Sequence, residues 1–99
     1  MSKKHIANVV REKGLPAIPE DWSGLDVLLP LIELATNEGA VCVIKFDGKR
    51  PTAEDRYSAI VSCEGLRTPL RGDADSVELA LAQVLSSFAR DIWGISVEH

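Results

Sequence analysis

The side chains best able to do chemistry in these 99 residues are two histidines, two cysteines and one pair of adjacent carboxylates. His5 and His99 stand near opposite ends of the chain, in segments read as mobile, with no Cys or Asp at ligand spacing. Metal binding and acid–base catalysis need partners within reach, so no metal and no cofactor is assigned. Cys42 and Cys63 alternate with Ile44, Ala59 and Val61. A free cysteine in such a setting packs as a small hydrophobe, although a two-residue shift of register would set the two sulfurs face to face. Glu54 and Asp55 are neighbours in a loop, where carboxylates are ordinarily solvated. "GKRPT" lacks the glycine and lysine-serine/threonine spacing of a phosphate loop. No Ser-His-Asp or Cys-His arrangement can be assembled. The expectation is a protein that is not an enzyme.

Those residues hang on elements that the hydrophobic pattern outlines. Val41–Phe46 and Arg56–Cys63 are rich in β-branched and aromatic residues and read as the two strands of a hairpin. Pairing Phe46 with Tyr57 and Ile44 with Ala59 sets Cys42 opposite Val61. One face is then wholly apolar (Cys42, Ile44, Phe46, Tyr57, Ala59, Val61, Cys63) and is expected to meet the core. The other carries Lys45, Arg56, Ser58 and Ser62, but also Val41, Val43 and Ile60, a candidate oligomer face. "GLRTPLRG" supplies a third strand, placed at an edge because Pro69 cannot donate to a ladder.

Residues 2–13 read as an amphipathic helix capped by Ser2 and stopped by Gly14, with Ile6, Val9 and Val10 as its apolar stripe. After a proline-stiffened linker, Ser23 and Asp26 resemble a capping box, and Leu25, Leu28, Leu29, Ile32 and Ala35 keep helical spacing. Pro30 conflicts with that spacing, since an interior proline costs about 3 kcal/mol. Either the helix bends there or Pro30 opens a second helix as its first residue; a single Pro-broken helical segment is the favoured expectation. The last helix is expected to be capped by Asp75 with Glu78, to bury Val77, Leu81, Val84, Leu85, Phe88 and Ile92, and to end at Gly94. The expected fold is α+β: a small antiparallel three-stranded sheet, hairpin plus edge strand, with helices packed on one face in the order α-α-β-β-β-α. It forms a single domain over 1–99, divided into an N-terminal helix (1–14), linker and broken helix (15–39), sheet (40–72) and C-terminal helix (73–94).

Composition sets the outer bounds. With 45% apolar and 26% charged residues the chain belongs to the ordinary globular class. Two cysteines without CxxC spacing suit a reduced, cytoplasmic protein. The N-terminus lacks the apolar core of a signal peptide, and "VLLPLI" is too short to span a bilayer, so no membrane role is expected.

Charge is the one patterned signal. Residues 1–14 carry +3, 15–39 carry −5, 40–72 carry +2 and 73–99 carry −4, for a net −4. Lys49, Arg50, Arg67 and Arg71 make a basic side on the sheet, and Glu20, Asp21, Asp26 and Glu33 an acidic side on the helical region. Either is a candidate partner-binding surface. The acidic balance disfavours nucleic acid as partner, and stacking platforms for RNA need aromatics exposed on the sheet, whereas Phe46 and Tyr57 fall on the expected core face.

"DRYSAIVSCEGLRTPLRGDADSVELALAQVLSSFA", residues 55–89, is similar in its rhythm to the small sheet-plus-helix unit of HicB-type antitoxins. The shared pattern is strand, short turn, strand, "GD", then an acidic-capped helix. "CEG" stands where that family has its proline-glycine-cysteine turn. The resemblance implies a protein that neutralises a partner protein. Taken with the residues, the expected function is a non-catalytic, acidic protein-binding module acting as an inhibitor. The candidate classes are an immunity protein, an antitoxin, or a phage-encoded antagonist such as an anti-CRISPR, with a nucleoprotein or nucleic-acid-binding protein among the partners it suits. The alternatives are a homo-oligomeric structural or adaptor protein, a homodimer included, and, less favoured, a single-stranded RNA-binding module.

Overall fold

Leu81, Val84, Leu85 and Phe88 recur at helical spacing and form the buried stripe of helix α3, Val77–Asp91, around which the other elements are arranged. The structure, a computed structural model, describes residues 2–49, 51 and 56–96, and for Ser2 the backbone alone. The cap expected from Ser2, and the residues Arg50, Glu54, Asp55 and His99, lie outside that description.

The order is α1 (Ser2–Glu12), a 3-10 turn (Leu25–Val27), α2 (Leu29–Asn37), β1 (Val41–Phe46), β2 (Tyr57–Ser62), β3 (Leu70–Ala74) and α3. It is an α+β fold in the expected order α-α-β-β-β-α, with an antiparallel sheet β1-β2-β3. The hairpin register is the expected one: Phe46 faces Tyr57, Ile44 faces Ala59 and Cys42 faces Val61. The two cysteines are therefore out of register with one another, and both are free.

Helix α1 ends as its sequence requires. Gly14 adopts φ +73°, and the Leu15 N–H reaches back to the Val10 carbonyl at 3.0 Å, closing a six-to-one cap. Helix α3 is capped one residue later than expected. Ser76, not Asp75, has the extended backbone of a cap, and its hydroxyl accepts from the Leu79 N–H.

The middle segment corrects the expectation of one broken helix. Pro30 is the second residue of α2, in the first turn where its missing N–H breaks no bond, and the preceding turn is a separate 3-10 piece. Gly24 at φ +98°, not Ser23, begins that turn. The buried stripe is Leu28, Leu31 and Ala35, while Leu25 and Leu29 are exposed.

A larger correction concerns the sheet. Helix α3 packs on β2 and β3 and carries α1 on its flank. Close approach is possible because small residues lie beneath it: Ala59 and Ala74 are buried, and a Cβ on Gly72 would stand 2.5 Å from the Ala80 carbonyl oxygen. Centred there, α3 does not reach over β1. Of the face expected in the core, Ala59 and Val61 are buried and Cys42, Tyr57 and Cys63 half-buried, but Ile44 and Phe46 are exposed, Phe46 at 66%.

Candidate partner-binding surfaces

Histidine 5 is not in a mobile segment. It sits in α1 at 1% exposure, its Nδ1 against the Ser86 hydroxyl and its Nε2 3.0 Å from the Ile95 carbonyl. A carbonyl only accepts, so Nε2 carries the proton and, in the neutral ring, Nδ1 accepts from Ser86. A serine and a histidine are thus brought together, but the third group is a backbone carbonyl and not the carboxylate of a Ser-His-Asp arrangement. Both side chains are buried in the α1–α3 packing, and neither lines the cavity described below. The contact joins α1 and α3 to the residues after α3. Burial pushes the Cys42 thiol pKa up, which disfavours the thiolate. Among the described residues no group of three or more His, Cys, Asp or Glu could hold a metal ion.

The basic side is compensated from within only in part. Arg71 grips Asp73 through Nε at 3.0 Å, and the buried Ser58 hydroxyl donates to the same carboxylate at 2.5 Å. Lys45 lies 3.8 Å from Asp47. The Asp47 carboxylate also accepts from the Lys49 backbone N–H at 3.0 Å, which shapes the start of the hairpin loop. Lys49 and Arg67 are exposed. Of the three expected basic residues that are described, Arg71 is paired, and Lys49 and Arg67 form no ion pair with a described acid.

The acidic side differs. Glu20, Asp21, Asp26 and Glu33 are all exposed, and no described cation forms an ion pair with any of them. Asp26 also lines a cavity of about 240 Å³ whose other walls are Val10, Leu15, Pro16, Ile18, Val27 and Pro30. An apolar recess with a carboxylate in its wall fits a basic side chain whose aliphatic stem can be buried. Two other acids have structural roles: Glu38 accepts from the Trp93 indole at 3.0 Å, and Glu78 ties Lys3 (3.1 Å) to the Gly24 N–H (3.0 Å).

Glu78 carries a pH prediction. The Gly24 N–H and the Lys3 ammonium hold its carboxyl below the usual range, against an opposing effect of burial. A depressed folded pKa adds stability above the unfolded value, and that stability is lost as pH falls through the folded one. Glu78→Gln is expected to cost about 1 kcal/mol at neutral pH and almost nothing in acid. Urea unfolding at both conditions checks it; an equal loss at both would contradict the assignment.

The third surface is β1. Val41 (57% exposed) and Val43 (51%) lie on the sheet face away from α3, with Ile60 directly across from Val43 and half-buried. The expected oligomer face is thus one contiguous apolar strip. On the other face Phe46 packs edge-on against Tyr57, ring centroids 5.1 Å apart, and remains exposed. That exposure removes one of the two grounds against RNA; the acidic balance remains.

The residues that sequence reasoning missed are His5, Ser86 and Gly72. The signal for the first was present: His5 is one turn before Val9 and adjoins Ile6, so it belongs to the apolar stripe of α1. Among the described residues no helix is long and apolar enough to cross a membrane.

With this geometry in hand, comparison with known proteins finds no matching family model, curated protein or solved structure. The strand–strand–helix order of β2, β3 and α3 is present as the likeness to HicB-type antitoxins implies, but no match supports membership of that family.

Proposed function

We propose that the chain is a non-catalytic, cytoplasmic protein-binding module that inhibits or neutralises a partner protein, and that the partner presents a basic surface. Immunity proteins, antitoxins and phage-encoded antagonists such as anti-CRISPRs are the classes that fit. The observation that carries the reading is a set of four exposed acids, one of them in the wall of an apolar recess. No described cation forms an ion pair with Glu20, Asp21, Asp26 or Glu33, and Asp26 lines the recess. Exposed carboxylates steer a cationic partner, and the recess at Asp26 gives it somewhere to anchor. Proteins that hold nucleic acid carry such cationic faces by necessity, so a nucleic-acid-binding protein is the partner class this surface suits.

The test is affinity capture from the native host with the wild-type chain and a variant carrying Glu20→Lys, Asp21→Lys, Asp26→Lys and Glu33→Lys. A captured protein that is lost with the variant, and whose retention falls as salt rises, is the expected result. Capture that survives both the reversal of all four charges and high salt would sink the reading.

A further inference from the structure

The two edges of the sheet are built differently. Strand β3 is short, follows Pro69, and carries the Arg71–Asp73 ion pair, all devices that discourage pairing with another strand. Strand β1 has six residues in unbroken register, with no proline, glycine or bulge, and a single charged side chain, Lys45.

The direction of its backbone follows from one bond. The Asp47 N–H donates to the Arg56 carbonyl at 2.9 Å, which makes Asp47 and Arg56 a hydrogen-bonded pair. Pairs alternate along an antiparallel ladder. Lys45, Val43 and Val41 therefore turn their peptide groups toward β2, and Cys42, Ile44 and Phe46 turn theirs to the free edge. Among the described residues no backbone group bonds to those three from outside the strand. Exposed apolar side chains flank the edge on both faces: Val41 and Val43 on one, Ile44 and Phe46 on the other.

We propose that β1 pairs antiparallel with β1 of a second copy of this chain, about a two-fold axis through Ile44, giving a continuous six-stranded sheet. In this register Ile44 meets Ile44, Cys42 meets Phe46, and every outward peptide group finds a partner. Lys45 falls opposite Val43 and stays beside its own Asp47. Moving the axis to Lys45 would set like charges opposite each other and is disfavoured. Both copies then place α3 on the same side of the sheet, and Ile44 and Phe46 of each floor the groove between the helices. At their observed exposures Val41, Val43, Ile44 and Phe46 hold on the order of 350 Å² of apolar surface per copy. A stable interface takes about 800 Å² per partner. The pair is therefore a weak dimer, in exchange with monomer at micromolar concentration.

Sedimentation equilibrium of the purified chain, from low micromolar to millimolar concentration, tests this without any other partner. The mass is expected to rise from one chain toward two. Ile44→Pro removes an edge donor while leaving the ladder to β2 intact, and Ile44→Asp sets two carboxylates together on the axis. Each is expected to weaken the dimer about tenfold or more with an unchanged circular dichroism spectrum. Amides of Cys42, Ile44 and Phe46 should gain exchange protection in the concentrated sample. A monomer throughout the range overturns the proposal. So does a dimer that both Ile44 variants leave intact while Ile60→Lys dissolves it, since that outcome means stacking through the sheet face.

Discussion

Replacing His5 by alanine is expected to lower the unfolding free energy by about 3–4 kcal/mol and the melting temperature by about 15 °C or more. The side chain is buried among the packed faces of α1 and α3 and serves two polar groups at once. Its removal leaves a cavity that the helices can close only by moving. It also leaves the Ser86 hydroxyl and the Ile95 carbonyl without the ring they bond. Each loss alone is of the order of 1–3 kcal/mol, and alanine brings both. Ser86→Ala should cost less, about 1–2 kcal/mol, because the ring keeps its bond to Ile95. The double variant should fall short of the sum, with a coupling of about 1 kcal/mol. Thermal and urea unfolding of the three variants measure this. A loss below about 1 kcal/mol for His5→Ala would mean that the ring is not sealed as described.

Much of the architecture could be read from pattern alone, and the reason is local. Pairing Phe46 with Tyr57 and Ile44 with Ala59 gathered the apolar residues of both strands on one face, and that register is present, not the two-residue shift that would set the cysteines opposite each other. The helix ends at Gly14 and Gly94 were legible because a left-handed residue is required there; Gly94 has φ +71°, and Ile95 closes the cap to Ala89 at 3.0 Å. The single-residue slip from Asp75 to Ser76 reflects two adjacent residues of equal capping chemistry. Which one caps depends on where the chain leaves β3, a tertiary matter.

The exposure of β1 was not legible in this way. Period-two alternation tells which residues share a face, and it is silent on whether a helix covers that face. What decides coverage is the line along which α3 can settle closely, marked by Ala59, Gly72, Ala74 and Ala80 on the β2–β3 side. The bulkier Ile44 and Phe46 lie outside that line. The same displacement changes the functional weighing. Sequence alone divided charge into a basic sheet and acidic helices without choosing between them. Asp73, counted with the last helix in the sequence, belongs to the sheet in space and pairs Arg71, and Asp47 lies beside Lys45, whereas no described cation forms an ion pair with the four acids of the acidic side. The apolar β1 edge is a separate surface, built from Val41, Val43, Ile44 and Phe46.

The contact that sets this layout makes Gly72→Val the second large effect. In the paired strands Gly72 stands opposite Ala59, and the backbone of α3 passes directly above it. A Cβ there would meet the Ala80 carbonyl oxygen at 2.5 Å and the Gln83 Cβ at 3.1 Å. A carbonyl of a helix backbone cannot rotate away as a flexible side chain can, so the whole of α3 must lift or tilt. Lifting α3 loosens Leu81, Val84, Leu85 and Phe88 against the sheet together. Overpacking of this kind costs about 1–3 kcal/mol for a single methyl and more for a branched side chain. Gly72→Ala is expected to cost about 2 kcal/mol and Gly72→Val about 3 kcal/mol or more, with melting temperatures falling in that order. Gly48→Ala is the matching control, since a Cβ at Gly48 meets nothing within 4 Å. It should change stability by less than about 0.5 kcal/mol. If Gly72→Val instead unfolds at the wild-type temperature, α3 does not rest on the sheet at this distance. The small-residue line would then no longer explain why β1 is left uncovered.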